Sequence, residues 1–394
     1  MKVLIDKAER LWKMPRPALG SMQFIQRRLY ARGVKIIDLE SIIPEIPEVE
    51  SLSADSPKLS FGPLNPPANA EQIALLKAKI IEKHKALKGL AVDVDKEITI
   101  IPGVRMAAAI VSLALLNAGD VAAYPDPGVQ FYRTAICLAD GNPRRYQLLE
   151  SSDYMLNISS LPGPSKKTKM IFLNYPNNPT GASVDYYFYR DLLKSVKFGN
   201  VLIVADCAHV HPGNTEAVIP LQAKNARRKT LELHSFSTTF GAHGLGFAIG
   251  HKDVISILDN VLNALGFVPD SGKVNWASTC FDHSEEIFGA RMDILQRRRL
   301  VLSDGLKKLG WRIRENKYLP FIWAKIPYRS TSVAFARRLF AKAGVRVAPG
   351  SDFGEGGEGW LRFSLCCNEG ILNEALERLA QHSRIWQRRF RPEP

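Results

Sequence analysis

The sequence predicts an α/β protein, with a large domain built on a mostly parallel sheet and a smaller α+β domain beside it. Short β-branched runs without polar alternation recur between residues 97 and 250, as strands buried on both faces require. Helix-length segments separate these runs, and that order builds a parallel sheet. The last third alternates strand and helix more loosely, and 394 residues give room for two units.

Met22 to Ala31 reads as a helix ending at Gly33, and Val34 to Leu39 as a short strand. Residues 44–68 are rich in Pro, Glu and Ser and read as a surface connection. Ala74 to Leu87 is a helix, and Glu97 to Ile101 a strand broken by Pro102-Gly103. Arg105 to Asn117 is an apolar helix. Asp120 to Tyr124, Met170 to Leu173, Val201 to Ala205, Leu231 to Ser235 and Phe247 to Gly250 read as strands. Val254 to Leu262 and Ser284 to Leu309 are helical. The last unit holds strands Trp311 to Arg314, Phe321 to Ile326 and Trp360 to Ser364, with helices Val333 to Ala343 and Ile371 to Gln387. The implied division is an arm and first part of the small domain at 1–55, the large domain at 56–272, and the rest of the small domain at 273–394.

Composition excludes several classes. Hydrophobic residues make up 46% and charged residues 23%, which argues against disorder. No apolar run reaches the roughly 18 residues of a membrane span. Five scattered cysteines without a CxxC pair fit a reducing cytoplasm, and Met1 to Arg10 lacks a signal-peptide core. The formal charge of +14 is the outlier. Residues 281–394 hold 21 basic and 13 acidic residues, so they supply +8 of it. Clusters at Arg297 to Arg299 and at Arg384, Arg388, Arg389 and Arg391 read as solvated faces. No zinc-finger spacing or RNP string accompanies them, which argues against nucleic acid as a partner.

The sharpest string is Asn174-Tyr175-Pro176-Asn177-Asn178-Pro179-Thr180-Gly181, directly after a hydrophobic strand. Its prolines and glycine fix a non-helical turn at the carboxyl end of a strand, where open α/β sheets bind ligands. This string resembles the signature of class I/II aminotransferases, the fold type I enzymes that use pyridoxal phosphate (PLP). Other segments follow in that family's order: Val204-Ala205-Asp206, His234-Ser235-Phe236-Ser237, and Gly357-Glu358-Gly359-Trp360-Leu361-Arg362. The resemblance spans about residues 25 to 380.

The resemblance implies roles residue by residue. Asp206 corresponds to the acid that pairs with the pyridine nitrogen, and Asn178 to the asparagine that bonds the ring's phenolic oxygen. Arg362 corresponds to the clamp for a substrate carboxylate. Ser235 and Ser237 could donate to a phosphate. Gly103, Val104 and Arg105 open a helix whose free amides suit an anion. The family also implies a homodimer.

The departures matter as much. Thr238 stands where the Schiff-base lysine belongs, and the next lysine is Lys252. Thr cannot form an imine. His243-Gly244-Leu245-Gly246 replaces the family's longer glycine-aromatic-arginine run, so the phosphate arginine is missing. Val129 replaces a stacking aromatic, His209 replaces a tyrosine, and Glu40 to Ile43 replaces a glycine turn. These losses leave non-covalent PLP or pyridoxamine phosphate, or no cofactor. The reading is a pseudoenzyme-like family member that binds an amino or keto acid through Arg362. One alternative is lysine-independent chemistry with His209 or His243 as base; another is a regulatory or nucleic-acid-binding protein on this scaffold. Cys207, His209 and His211 alternate along one predicted strand face but lack a fourth ligand, so no metal site is assigned. Cys366-Cys367 reads as a buried pair of small residues.

Overall fold

A computed structural model describes residues 6–15, 19–42, 66–161, 167–196 and 199–383. Ile43, residues 44–65 of the Pro-rich connection, and Arg384, Arg388, Arg389 and Arg391 lie outside the described residues.

Twelve strands are described: β1 (Ile37–Leu39), β2 (Ile98–Ile101), β3 (Val121–Asp126), β4 (Asn142–Gln147), β5 (Thr168–Asn174) and β6 (Leu202–Asp206), then β7 (Thr230–Ser235), β8 (Gly246–Gly250), β9 (Arg312–Arg314), β10 (Phe321–Lys325), β11 (Val345–Pro349) and β12 (Trp360–Ser364). Seven form one sheet in the order β2-β8-β7-β6-β5-β3-β4. Only β8 runs against its neighbours; the pairs from β7 to β4 are parallel. Both faces of this sheet are covered. Helices Val104–Leu115, Phe131–Leu138 and Lys252–Ala264 pack with Val204, Leu231 and Leu233 on one side. Helices Ala70–Lys83, Tyr186–Ser195 and Ser271–Asp282 pack with Ile203, Ala205 and Phe247 on the other. Such two-sided burial explains the missing alternation in the strand sequences.

The second sheet has the order β1-β11-β12-β10-β9. β1 pairs in parallel with β11, so residues near the amino terminus complete a sheet made mostly after residue 311. Helices Leu19–Ala31, Ser332–Ala343 and Glu369–Gln381 cover it. The 25-residue helix Ser284–Lys308 joins both units. Its Ile287 enters the large core, while Leu295, Leu302 and Leu306 enter the small one.

Local signals explain most boundaries. Asn69 and Gln72 form a reciprocal capping box that starts the helix at Ala70, four residues before the expected Ala74. Asn368 caps the last helix at Glu369, and the helix stops at Gln381 rather than Gln387. The strand expected over Val34 to Leu39 shortens to its last three residues. Helices Tyr186–Ser195 and Ser271–Asp282 and strands β4 and β11 carry no clear sequence signal. β4 reads Asn-Pro-Arg-Arg-Tyr-Gln and buries only Tyr146 fully; it is a sheet edge, where polar residues and proline are tolerated.

The carboxyl ends of β3, β5, β6 and β7 end side by side at Asp126, Asn174, Asp206 and Ser235. Asn174 lies in register with Asp206. Among the described residues, no helix is long and apolar enough to cross a membrane.

Candidate functional site

A cavity of about 1580 Å³ opens at these strand ends, between the large sheet and the small one. Asp206, Asn178, His209, Thr238 and Arg362 line it together, although they are spread over 185 positions from 178 to 362.

Asp206 sits at the end of β6 and is 4% exposed. Its Oδ2 accepts the Tyr132 hydroxyl at 2.5 Å, and its Oδ1 accepts the Ala208 amide at 2.9 Å. Burial pushes the carboxyl up to about 6, while the Tyr132 and Ala208 bonds pull it back. Tyr132 stacks on Phe172 at 5.1 Å, which fixes its ring. Sequence reasoning missed Tyr132, because 74 positions separate it from its partner.

The Asn-Tyr-Pro-Asn-Asn-Pro-Thr-Gly turn is held by its own side chains. Asn174 donates from Nδ2 to the Asp206 carbonyl at 3.1 Å and accepts the Asn178 amide at 2.8 Å. Thr180 donates its hydroxyl to Asn177 Oδ1 at 2.6 Å. Asn178 is thereby fixed on the cavity wall, where its Oδ1 accepts Arg362 Nη1 at 2.8 Å.

Arg362, on β12, is 7% exposed. Its Nη2 donates to the Glu40 carbonyl at 2.8 Å, and Nε has no partner. Phe353 and Phe321 sit 4.9 and 5.4 Å from the guanidinium carbon. Burial pulls its pKa down to about 10, against the fields of Glu40, Cys366 and Asp352. Burial also raises the Glu40 carboxyl, although Arg346 pairs with it at 3.1 Å. Asp352, another residue the sequence reading missed, is pushed up to about 6 by burial and by Glu40.

Thr238 lies on the short helix Phe236–Phe240, capped by Ser235. Its hydroxyl donates to the Ala208 carbonyl, and its own carbonyl accepts Arg291 Nη1. Arg291, from the long connecting helix, was not anticipated. His209 lines the cavity and packs edge-on against Phe321 at 5.7 Å. Burial, with Arg291 and Arg362 nearby, pulls it down to about 3, so the imidazole is neutral. His243 does not share this position: it is exposed and lies outside the cavity lining.

The amino end of helix Val104–Leu115 lies at the cavity, and Val104 and Arg105 line it. Gly103 caps this helix with φ +77°, which a side chain rarely adopts. The Arg105 guanidinium lies 5.8 Å from the Phe131 ring centre. Ser237 spends its hydroxyl on the Ala242 carbonyl at 3.3 Å and accepts the Gly244 amide at 3.2 Å. These two bonds close the loop between the short helix and β8. Val129 lines the cavity with no aromatic ring at that position.

Two expectations about other groups need correction. Cys207, His209 and His211 do not share a face, since β6 ends at Asp206 and the chain turns. His209 faces the cavity, while His211 packs on Phe240 and Phe288. Cys207 instead clusters with Glu232 and His234, the group of possible metal ligands found among the described residues. Cys366 and Cys367 also differ: Cys366 is buried, while the thiol of Cys367 reaches the Asp38 carbonyl at 3.4 Å.

Asp206 and Asn178 stand on the cavity wall where the resemblance puts the partners of a pyridine ring. Among the described residues lining the cavity none is lysine, and no cation from the loop before β8 joins the helix amides. The buried guanidinium of Arg362, with its Nε unpaired among the described residues, suits recognition of a carboxylate.

The sequence model for aminotransferase class I and II matches residues 34–379. An LL-diaminopimelate aminotransferase from Aquifex aeolicus is 30% identical over 388 residues, covering 95% of this chain and 99% of that one. Another from Halothermothrix orenii is 29% identical over 388 residues, covering 95% and 98%. The apo structure of BacF from Bacillus subtilis superposes with a TM-score of 0.85 at 25% identity, covering 96% of this chain and 99% of that chain.

Proposed function

This chain belongs to the aminotransferase class I and II family, and from that premise we propose that it binds an amino or keto acid through Arg362 without standard transamination. The observation that carries the reading is Thr238. By the resemblance it stands at the lysine position; it lines the cavity wall, and its hydroxyl is committed to the Ala208 carbonyl. A hydroxyl held in that way neither attaches a cofactor nor takes a proton from a substrate carbon. The transaminase activity named for the relatives is therefore not carried over to this chain.

Arg362 supplies the binding. Its guanidinium carbon lies 5.4 Å from the Phe321 ring centre and 4.9 Å from that of Phe353, and Asn178 holds one edge. A planar donor fixed in this way is ready to receive a carboxylate. PLP or pyridoxamine phosphate, when taken up, is held by contacts alone, and a homodimer is the expected assembly.

The test is spectroscopic. Purified protein incubated with PLP and then an amino donor should show no donor-dependent shift in absorbance. Calorimetry should show an amino or keto acid binding, weakened by Arg362→Lys. A shift driven by the donor would refute the loss of transamination. One observation favours a second reading, lysine-independent chemistry: the imidazole of His209 faces the cavity. Donor-dependent turnover that survives Thr238→Ala and vanishes in His209→Ala would establish it.

A further inference from the structure

Three charged groups meet beside Phe353, and their balance constrains the ligand. Arg362 is the cation. Glu40 shares Arg346 with Asp38, at 3.1 Å from its own carboxylate. Asp352 lines the same cavity and has no hydrogen-bond or ion-pair partner among the described residues. It lies close enough to Arg362 and Glu40 for each to act on its charge. The raised carboxyl of Asp352 fits a group waiting for a cation.

A second observation points to a ligand in the same place. Arg362 is more than nine-tenths buried, yet its Nε–H has no acceptor. Ser351, next to Asp352 and also lining the cavity, keeps a buried hydroxyl without a partner. Buried polar groups are nearly always bonded, so two unmet donors lining one cavity mark where acceptors belong. A carboxylate oxygen would satisfy Arg362 Nε, and a second ligand group would then lie near Asp352.

We propose that the ligand is a zwitterionic amino acid, with its carboxylate on Arg362 and its ammonium on Asp352. This rests on the reading that Arg362 binds an amino or keto acid and selects the first of the two. A keto acid brings a negative charge to a subsite that already holds Glu40 and Asp352. An amino acid carries an ammonium that offsets its α-carboxylate, and this nitrogen donates to Asp352, which is unpaired among the described residues. Asp352 is thus the specificity-determining residue.

The experiment is calorimetry on the full chain without added cofactor, using matched pairs: L-glutamate with 2-oxoglutarate, and L-phenylalanine with phenylpyruvate. The amino member should bind tighter in at least one pair. Asp352→Asn should weaken that amino acid about 10- to 100-fold, the size of one charge-assisted hydrogen bond, and should not weaken the keto acid. Asp352→Glu should recover part of the loss, which separates the charge from a folding defect. Equal or tighter keto-acid binding in both pairs, or amino-acid binding untouched by Asp352→Asn, overturns the proposal while leaving Arg362 as the anchor. Absence of binding by every member at millimolar concentration overturns both.

Discussion

Replacing Glu232 by Gln should stabilise the protein, and more so at higher pH. Glu232 is fully buried on β7. One carboxyl oxygen accepts the Leu221 amide at 2.7 Å, and the other contacts His234 Nε2 at 3.0 Å. The contact has the geometry of an ion pair, but burial pushes Glu232 up to about 8 and His234 down to about 3. Both groups are therefore neutral, and the Glu232 proton bridges them. The folded state keeps this proton from the ordinary value of 4.5 up to about 8, whereas the unfolded chain loses it at 4.5. The stabilising contribution is thus full below pH 4.5 and falls by about 1.4 kcal/mol per unit between 4.5 and about 8. Gln presents the same donor to His234 and the same acceptor to Leu221, but it has no proton to lose. Its advantage over the wild type should widen by about 2 kcal/mol between about pH 6 and about pH 8. Urea unfolding of both proteins at the two pH values measures this difference, and any constant packing effect cancels. A gap that stays flat or narrows would show that Glu232 is ionised in the fold and would refute the neutral pair.

Three further outcomes follow from the same structure. Thr238→Lys should allow PLP to be fixed covalently on the introduced amine by borohydride, detected by mass spectrometry, where the wild type shows no label at that peptide. Arg291→Leu should raise the pKa of His209, read by NMR, because the guanidinium field that opposes its protonation is removed. His84→Phe should stabilise the fold by about 1–3 kcal/mol near neutral pH, since both ring nitrogens of this fully buried histidine lack partners. Burial holds His84 well below its ordinary 6.5, so the wild type loses stability as pH falls below that value, and the gap in urea unfolding should widen there.

The sequence revealed the part of the site that is locally encoded. Asn178 and Asp206 follow strands with strong apolar runs, and Arg362 follows a glycine-rich turn, so each could be placed at a strand end or within a short strand. Thr238 could be placed because Ser235-Phe236-Ser237 directly precedes it, in the order that the family resemblance implies. Tyr132, Asp352, Arg291 and the Glu40 carbonyl were not legible. Each acts through a partner on another element, and no spacing rule connects a tyrosine in a short helix to an acid 74 positions away. The edge strand β4 was missed for a related reason: its polar residues match its solvent exposure, not a core.

The helix Ser284–Lys308 has a mechanical consequence. Near its start, Arg291 grips the carbonyls of Thr238 and Thr239, and its far half is embedded beneath the small sheet. From Arg291 to Lys308 the rod is about 25 Å long at ~1.5 Å per residue. Swinging its far end by about 4 Å would rotate it by only ~10° about the Arg291 anchor. The cavity wall that carries Thr238 and the underside of the small sheet therefore share one continuous helix, tied to the large unit by Arg291, by Ile287 in its core and by Phe288 on His211.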